Sequence, residues 1–220
     1  MGSALLLATV VGSGIMADKL AAGNVALALM GNTIPTGAIL VVLIHIFGPI
    51  SGAHFNPVVS FIFALNGRLR HSDLVPYITA QITGAIFGVW ITHGMFDLPL
   101  FQISTTVRMG GGIWLAEFVA TFGLIITIFG CLAHTPTSVP YAVGLYITAA
   151  YWFTSSTSFA NPAVTIARSL TNSFSGIHPA GVPSFIAVQF LGAGVAYYFS
   201  KWLWIERNEP HPPSNGQENI

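Results

Sequence analysis

Two Asn-Pro pairs carry the most informative polar chemistry in this chain. Asn56-Pro57-Val58 follows Ala53-His54-Phe55, and Asn161-Pro162-Ala163 follows Ser158-Phe159-Ala160. Pro is well tolerated in the first turn of a helix, where its missing N–H costs nothing, and Asn is a strong N-cap. Each pair therefore predicts the start of a short helix with the positive end of its dipole at the Asn. The side-chain amide there can donate to a lone pair. Such a place suits a neutral solute and repels a cation or hydronium. Other chemistries lack their residues. A lone Cys131 excludes an internal disulfide, and zinc-ligand spacing is absent. No nucleophile–base or metal constellation lies near the short helices. Neither enzyme activity nor any cofactor or metal is expected.

The elements that must position these pairs are membrane elements. Of 220 residues only 14 are Asp, Glu, Lys or Arg, which is 6%, while 53% are hydrophobic and the mean hydropathy is +0.72. Soluble domains carry about 25% charge. A cytosolic enzyme, a nucleic-acid binder and a disordered chain are thereby excluded, and the zero net charge implies no basic or acidic partner. Residues 20–67, 118–167 and 169–200 contain no Asp, Glu, Lys or Arg. Each run exceeds the roughly 20 residues of one bilayer crossing, so each must hold more than one membrane element.

Six spans are expected, over residues 2–17, 25–47, 74–93, 113–133, 141–154 and 183–205. All are helices, because backbone groups in lipid need internal partners. Residues 2–17 are short for a crossing, which favours a start truncated upstream of Met1. The segments 56–65 and 161–170 are too short to cross and read as half-helices. Gln81-Ile82-Thr83-Gly84-Ala85 matches Gln189-Phe190-Leu191-Gly192-Ala193. The chain is therefore a repeat, residues 1–97 against 113–206, joined by a loop over 98–112. An odd number of spans per half inverts the second copy, bringing the two half-helix N-termini together at the midplane. Arg68, Arg70, Lys201 and Arg207 on one side suggest cytoplasmic termini. The tail 207–220 is polar and Pro-rich, and reads as disordered. A secondary transporter would normally need an intramembrane ionisable residue for coupling, and only Glu117 qualifies.

These residues resemble the major intrinsic protein family, the aquaporins and aquaglyceroporins. The likeness rests on the paired Asn-Pro motifs, the lead-in Ser51-Gly52-Ala53-His54-Phe55 and the opening Glu117-Phe118-Val119-Ala120-Thr121, and runs from Gly2 to about Arg207. It implies an all-α membrane fold of six spans plus two half-helices, in a homotetramer of separate pores. It also implies passive conduction of small neutral solutes and water across a cell membrane, with a bacterial inner membrane expected. The run from Phe153 to Val164 is similar to bacterial channels associated with arsenic resistance.

The departures from the family pattern are specific. A Glu usually braces the pore loop of each half; here Glu117 serves the second, and its counterpart would fall just upstream of Met1. Val58 stands where Ala is usual, and is expected to pack sideways. Val164 stands where most members carry Arg in the outer filter. By counting from the motifs, the remaining filter positions are Thr36, Ser158 and either Ala149 or Tyr151. Such a filter is wide, apolar and weakly cationic. It favours polyols, urea-like solutes and arsenous acid; a water-selective pore is the alternative.

Arg168 lies four residues after Val164, on the same helix face, and side chains lean toward the helix N-terminus. It either reaches back as a vestibule charge that partly replaces the missing guanidinium, or snorkels to the outer interface. His54 is expected to line or brace the cytoplasmic half of the pore. Residues 154–158 offer hydroxyls for a pore wall or for capping. Arg108, on the loop between the third and fourth spans, reads as a plain solvated loop charge, with facing the outer vestibule as the alternative, and His45 and His93 as packed or interface residues.

Overall fold

The computed structural model describes residues 1–205, and the tail expected to be disordered, 207–220, lies outside the described residues. Eight α-helices follow in order: α1 Gly2–Leu20, α2 Val25–Ser51, α3 Pro57–Leu65, α4 His71–Met95, α5 Gly111–His134, α6 Val139–Phe153, α7 Pro162–Arg168 and α8 Val182–Ser200. No strand occurs among the described residues.

Local sequence explains the helix ends. The Asn24 side chain caps α2 by accepting from Leu27 N at 3.1 Å. Pro57 and Pro162 occupy the first turns of α3 and α7. α1 runs on through Asp18 and Lys19 to 19 residues, about 28 Å at the helical rise. That is close to the roughly 30 Å of a hydrocarbon core, which corrects the expected short first span. Among the described residues five helices are long and apolar enough to cross a membrane: α1, α2, α4, α5 and the one containing α8. α6 has 15 residues and is shorter, preceded by a 3-10 turn over Pro136–Ser138. The half-helix α7 ends at Arg168, two residues earlier than expected.

The helices pack as two matching sets. α1 lies against α2 and α4, α5 lies against α6 and α8, and α2 joins the sets by packing on α6. Glycines permit the close crossings: a Cβ on Gly88 would stand 2.2 Å from Ala4 O, and one on Gly192 would stand 2.5 Å from Phe118 O. This is the small-residue packing that membrane helices use in place of a hydrophobic drive. Each half-helix sits between the two sets, α3 and α7 both packing on α4 and on α8. Ala163, Val164 and Ala167 of α7 are buried with Leu7, Val10 and Val11 of α1. Val58, Val59 and Ile62 of α3 are buried with Leu124, Ile125 and Ile128 of α5. Large apolar side chains such as Phe87, Leu115, Leu145 and Leu191 face outward, the surface a bilayer requires.

Candidate functional site: a channel between two half-helices

The two half-helices meet through their caps. Asn56 Oδ1 accepts from Val58 N at 3.1 Å, and Asn161 Oδ1 accepts from Ala163 N at 2.9 Å and Val164 N at 3.3 Å. The amide nitrogens then cross over. Asn56 Nδ2 donates to Ala160 O at 2.7 Å, and Asn161 Nδ2 donates to Phe55 O at 2.8 Å. One N–H of each amide is thus committed to the opposite loop. An amide carries two, so a second remains to each.

The loops reach this geometry through unusual backbone. Ala53 and Phe55 have φ of 50° and 48°, and Ser158 and Ala160 have 49° and 47°, at matching distances before each Asn. Such left-handed non-Gly residues cost of order 1–3 kcal/mol each and persist only where surroundings impose them. The second loop is held by Glu117, which is fully buried. Its Oε1 accepts from Phe159 N at 2.8 Å and its Oε2 from Ala160 N at 2.9 Å. Gln189 Nε2 donates to Glu117 Oε2 at 2.7 Å and to Thr165 Oγ1 at 2.9 Å. In the first half Gln81 Nε2 donates likewise to Ser60 Oγ at 2.8 Å, and His54 N donates to Tyr77 Oη at 3.2 Å.

One cavity runs past these loops. Its polar lining is Thr36, His54, Asn56, Tyr151, Ser158 and Asn161. The remaining wall is mainly aliphatic and aromatic, with Leu6, Val10, Leu40, Ile44, Val59, Phe63, Ile147, Phe159 and Val164 among it. Among the described residues, no Asp, Glu, Lys or Arg lines it. Ser158 Oγ is buried without a partner in the protein, which leaves it open to a solute.

Each residue singled out in the sequence has a definite place. Asn56, Asn161, Thr36, Tyr151, Ser158, Val164 and His54 line the cavity. Pro57, Val58, Pro162 and Ala163 are buried behind it. Ala149 is corrected: it is exposed and outside the lining, while Tyr151 faces in. Two residues are about 200° apart around a helix, so only one of them can face the lumen. Of the hydroxyls at 154–158 only Ser158 lines the cavity; Thr154 Oγ1 donates back to Ala150 O at 2.6 Å, and Ser156 Oγ accepts from Ser158 N at 3.2 Å. His93 is buried between Leu100 O at 2.8 Å and Thr171 Oγ1 at 2.9 Å.

The two arginines at this end differ most from expectation. Arg168 neither snorkels nor enters the lumen. It is 1% exposed, donates through Nε to Ser175 O, and lays its Cζ 3.4 Å from the Phe159 ring centroid. Arg108 is half-buried rather than solvated. It donates to Gly176 O at 2.8 Å and Phe174 O at 3.3 Å, and its Cζ stands 5.4 Å from the same ring. Burial lowers the Arg108 pKa from its ordinary value, against the opposing pull of Tyr151 and Glu117. Sequence reasoning missed Phe159 as a wall residue. Its signal was its place beside Ser158, with one arginine nine residues on.

A lumen without formal charge, threaded between two capped half-helices inside an apolar bundle, defines a membrane channel. The chain belongs to the Major intrinsic protein family, whose pattern matches residues 1–145. It is 58% identical over 203 residues to aquaglyceroporin AqpS of Rhizobium meliloti (strain 1021), covering 92% of this chain and 87% of the relative. It is 32% identical over 136 residues to the aquaglyceroporin of Toxoplasma gondii, covering 59% of this chain and 51% of that one. The X-ray structure of the aquaglyceroporin from Plasmodium falciparum shares the fold, with a TM-score of 0.66 at 17% identity over 92% of this chain and 94% of that one.

Proposed function

We propose that this protein is a passive channel for small uncharged solutes, glycerol-like polyols and arsenous acid among them, and for water. The observation that carries this reading is the lumen itself. It is lined by both asparagines and by Thr36, Tyr151, Ser158 and Val164, and among the described residues no side chain with a formal charge lines it. Neutral polyols exchange water for amide and hydroxyl partners there, while their carbon backbones meet the aliphatic wall. Where a family arginine would occupy the filter, Val164 adds no donor and no charge. Glycerol passage is supported by the likeness to aquaglyceroporin AqpS. Arsenous acid fits the same criteria as a small, neutral, hydroxyl-bearing solute.

The halves 1–97 and 113–206 read as inverted repeats, supported by the reciprocal bonds of Asn56 and Asn161. A homotetramer is what membership of the Major intrinsic protein family leads us to expect. A bacterial inner membrane with cytoplasmic termini is supported by the Rhizobium relative and by Arg68, Arg70 and Lys201 on one side.

Stopped-flow light scattering on proteoliposomes tests the reading. A glycerol or arsenous acid gradient should produce shrinkage followed by re-swelling faster than in protein-free vesicles. Shrinkage without that re-swelling would overturn it.

A further inference from the structure

We infer that Arg108 and Arg168 together form an electrostatic filter behind the pore wall, excluding cations without touching the solute. The inference rests on the channel reading above and concerns what that channel rejects.

Three observations converge on Phe159. Phe159 is one of the lumen-lining residues, next to Ser158. Its backbone N–H is fixed by Glu117 Oε1 at 2.8 Å. Against its ring stand two guanidiniums, with Cζ 3.4 Å and 5.4 Å from the centroid. Neither arginine is in the lumen lining. Both are anchored by backbone carbonyls of one short loop, Arg108 on Phe174 and Gly176, and Arg168 on Ser175. These anchors are neutral, so they fix the guanidiniums without cancelling their charge. Arg168 Nη1 is buried and has no hydrogen-bond partner. Tyr151 and Glu117 act electrostatically on both arginines, and Arg108 acts on Arg168. One carboxyl faces two guanidiniums, and a positive excess remains at this end of the pore.

The consequence follows from low dielectric. Two unit charges about 10 Å apart, at an effective dielectric near 20, interact strongly enough to alter a monovalent cation's permeability by about tenfold. A neutral solute feels no such barrier. In the usual family arrangement the filter Arg adds charge and narrows the lumen together. Here Val164 leaves the aperture wide, and the charge sits against an aromatic ring. Phe159 also holds the guanidiniums by cation–π contact, which reaches across about 6 Å. Arg108 and Arg168 are specificity-determining residues that act through the field, and Phe159 is the side chain that seats them.

Urea and guanidinium, used at millimolar concentration in proteoliposome uptake, separate charge from size because they are nearly isosteric. Arg108→Gln and Arg168→Gln should each raise guanidinium permeability about tenfold and leave urea within about twofold. Arg168→Lys keeps the charge and should stay close to the unmodified protein for both probes. Should Arg168→Gln not assemble, Arg108→Gln on the loop carries the same comparison. Urea and guanidinium rising together would show a loosened loop and overturn the inference, as would no change in guanidinium. Absence of urea flux in the unmodified protein would instead overturn the channel reading; the guanidinium comparison, read against protein-free vesicles, still decides the inference.

Discussion

Asn56 Nδ2 donates to the carbonyl of Ala160 at 2.7 Å, across 104 residues of sequence. The same side chain caps α3 through Oδ1 at 3.1 Å from Val58 N. One residue thus starts a half-helix and locks the opposite pore loop. Asn161 repeats the device toward Phe55 O at 2.8 Å. The left-handed residues before each Asn are held in place by this exchange.

Asn56→Ala should therefore remove a cap and leave a buried carbonyl unpaired, costing about 2–4 kcal/mol. Asn56→Asp keeps the cap acceptor but turns a carboxylate toward Ala160 O, and should be no more stable than the Ala variant. Thermal unfolding in detergent reads both. An Asp variant as stable as the unmodified protein would contradict the cross-loop bond.

Glu117 accepts three hydrogen bonds in full burial. Glu117→Gln offers an NH2 where acceptors are needed, and one of the Phe159 and Ala160 N–H groups loses its partner. Loss of a hydrogen bond to a buried charged group costs about 2–3 kcal/mol. Lower Tm and a smaller fraction of folded protein are expected. Gln189→Leu removes one of the three donors and should have the smaller effect.

Much of this is legible in the amino-acid sequence. Scarce charge gave the membrane class, and the paired Asn-Pro motifs gave the half-helices and their meeting point. Thr36, Ser158 and Val164 followed by counting from those motifs, and all three line the cavity. Counting failed where a loop length was uncertain, at Ala149 and Tyr151, because a two-residue slip turns a helix face by more than half a circle. It also failed for Arg108 and Arg168. Their partners are carbonyls and a ring on other segments, and carbonyls carry no residue-type signal. The seating of each half-helix between the two sets depends on tertiary packing in the same way.

Tyr151 and Ala149 offer a direct contrast. Tyr151→Ala removes a cavity wall residue and should raise permeability to bulky polyols relative to glycerol. Ala149→Leu adds bulk to an outward face and should leave every flux within about twofold, as surface substitutions usually do. Proteoliposome swelling rates for a polyol series check both.

Gly192 sets the crossing of α8 on α5. Gly192→Val places its Cβ 2.5 Å from Phe118 O, one residue from Glu117. Overpacking of this kind costs about 1–3 kcal/mol. The displaced helix carries Gln189 with it, so both Tm and solute flux should fall.

The decisive measurement compares glycerol re-swelling of proteoliposomes holding the unmodified protein with those holding Val164→Arg, with water shrinkage as the internal control. Val164 lines the lumen beside Ser158 and Asn161, and an arginine there adds bulk and donors at the filter. A steric barrier of 1.4 kcal/mol corresponds to about a tenfold slower rate. The expected result is rapid glycerol re-swelling in the unmodified protein, slowed about tenfold or more in Val164→Arg, with water flux retained in both. Equal glycerol rates in the two proteins, or none above protein-free vesicles in either, would contradict a wide filter set by Val164.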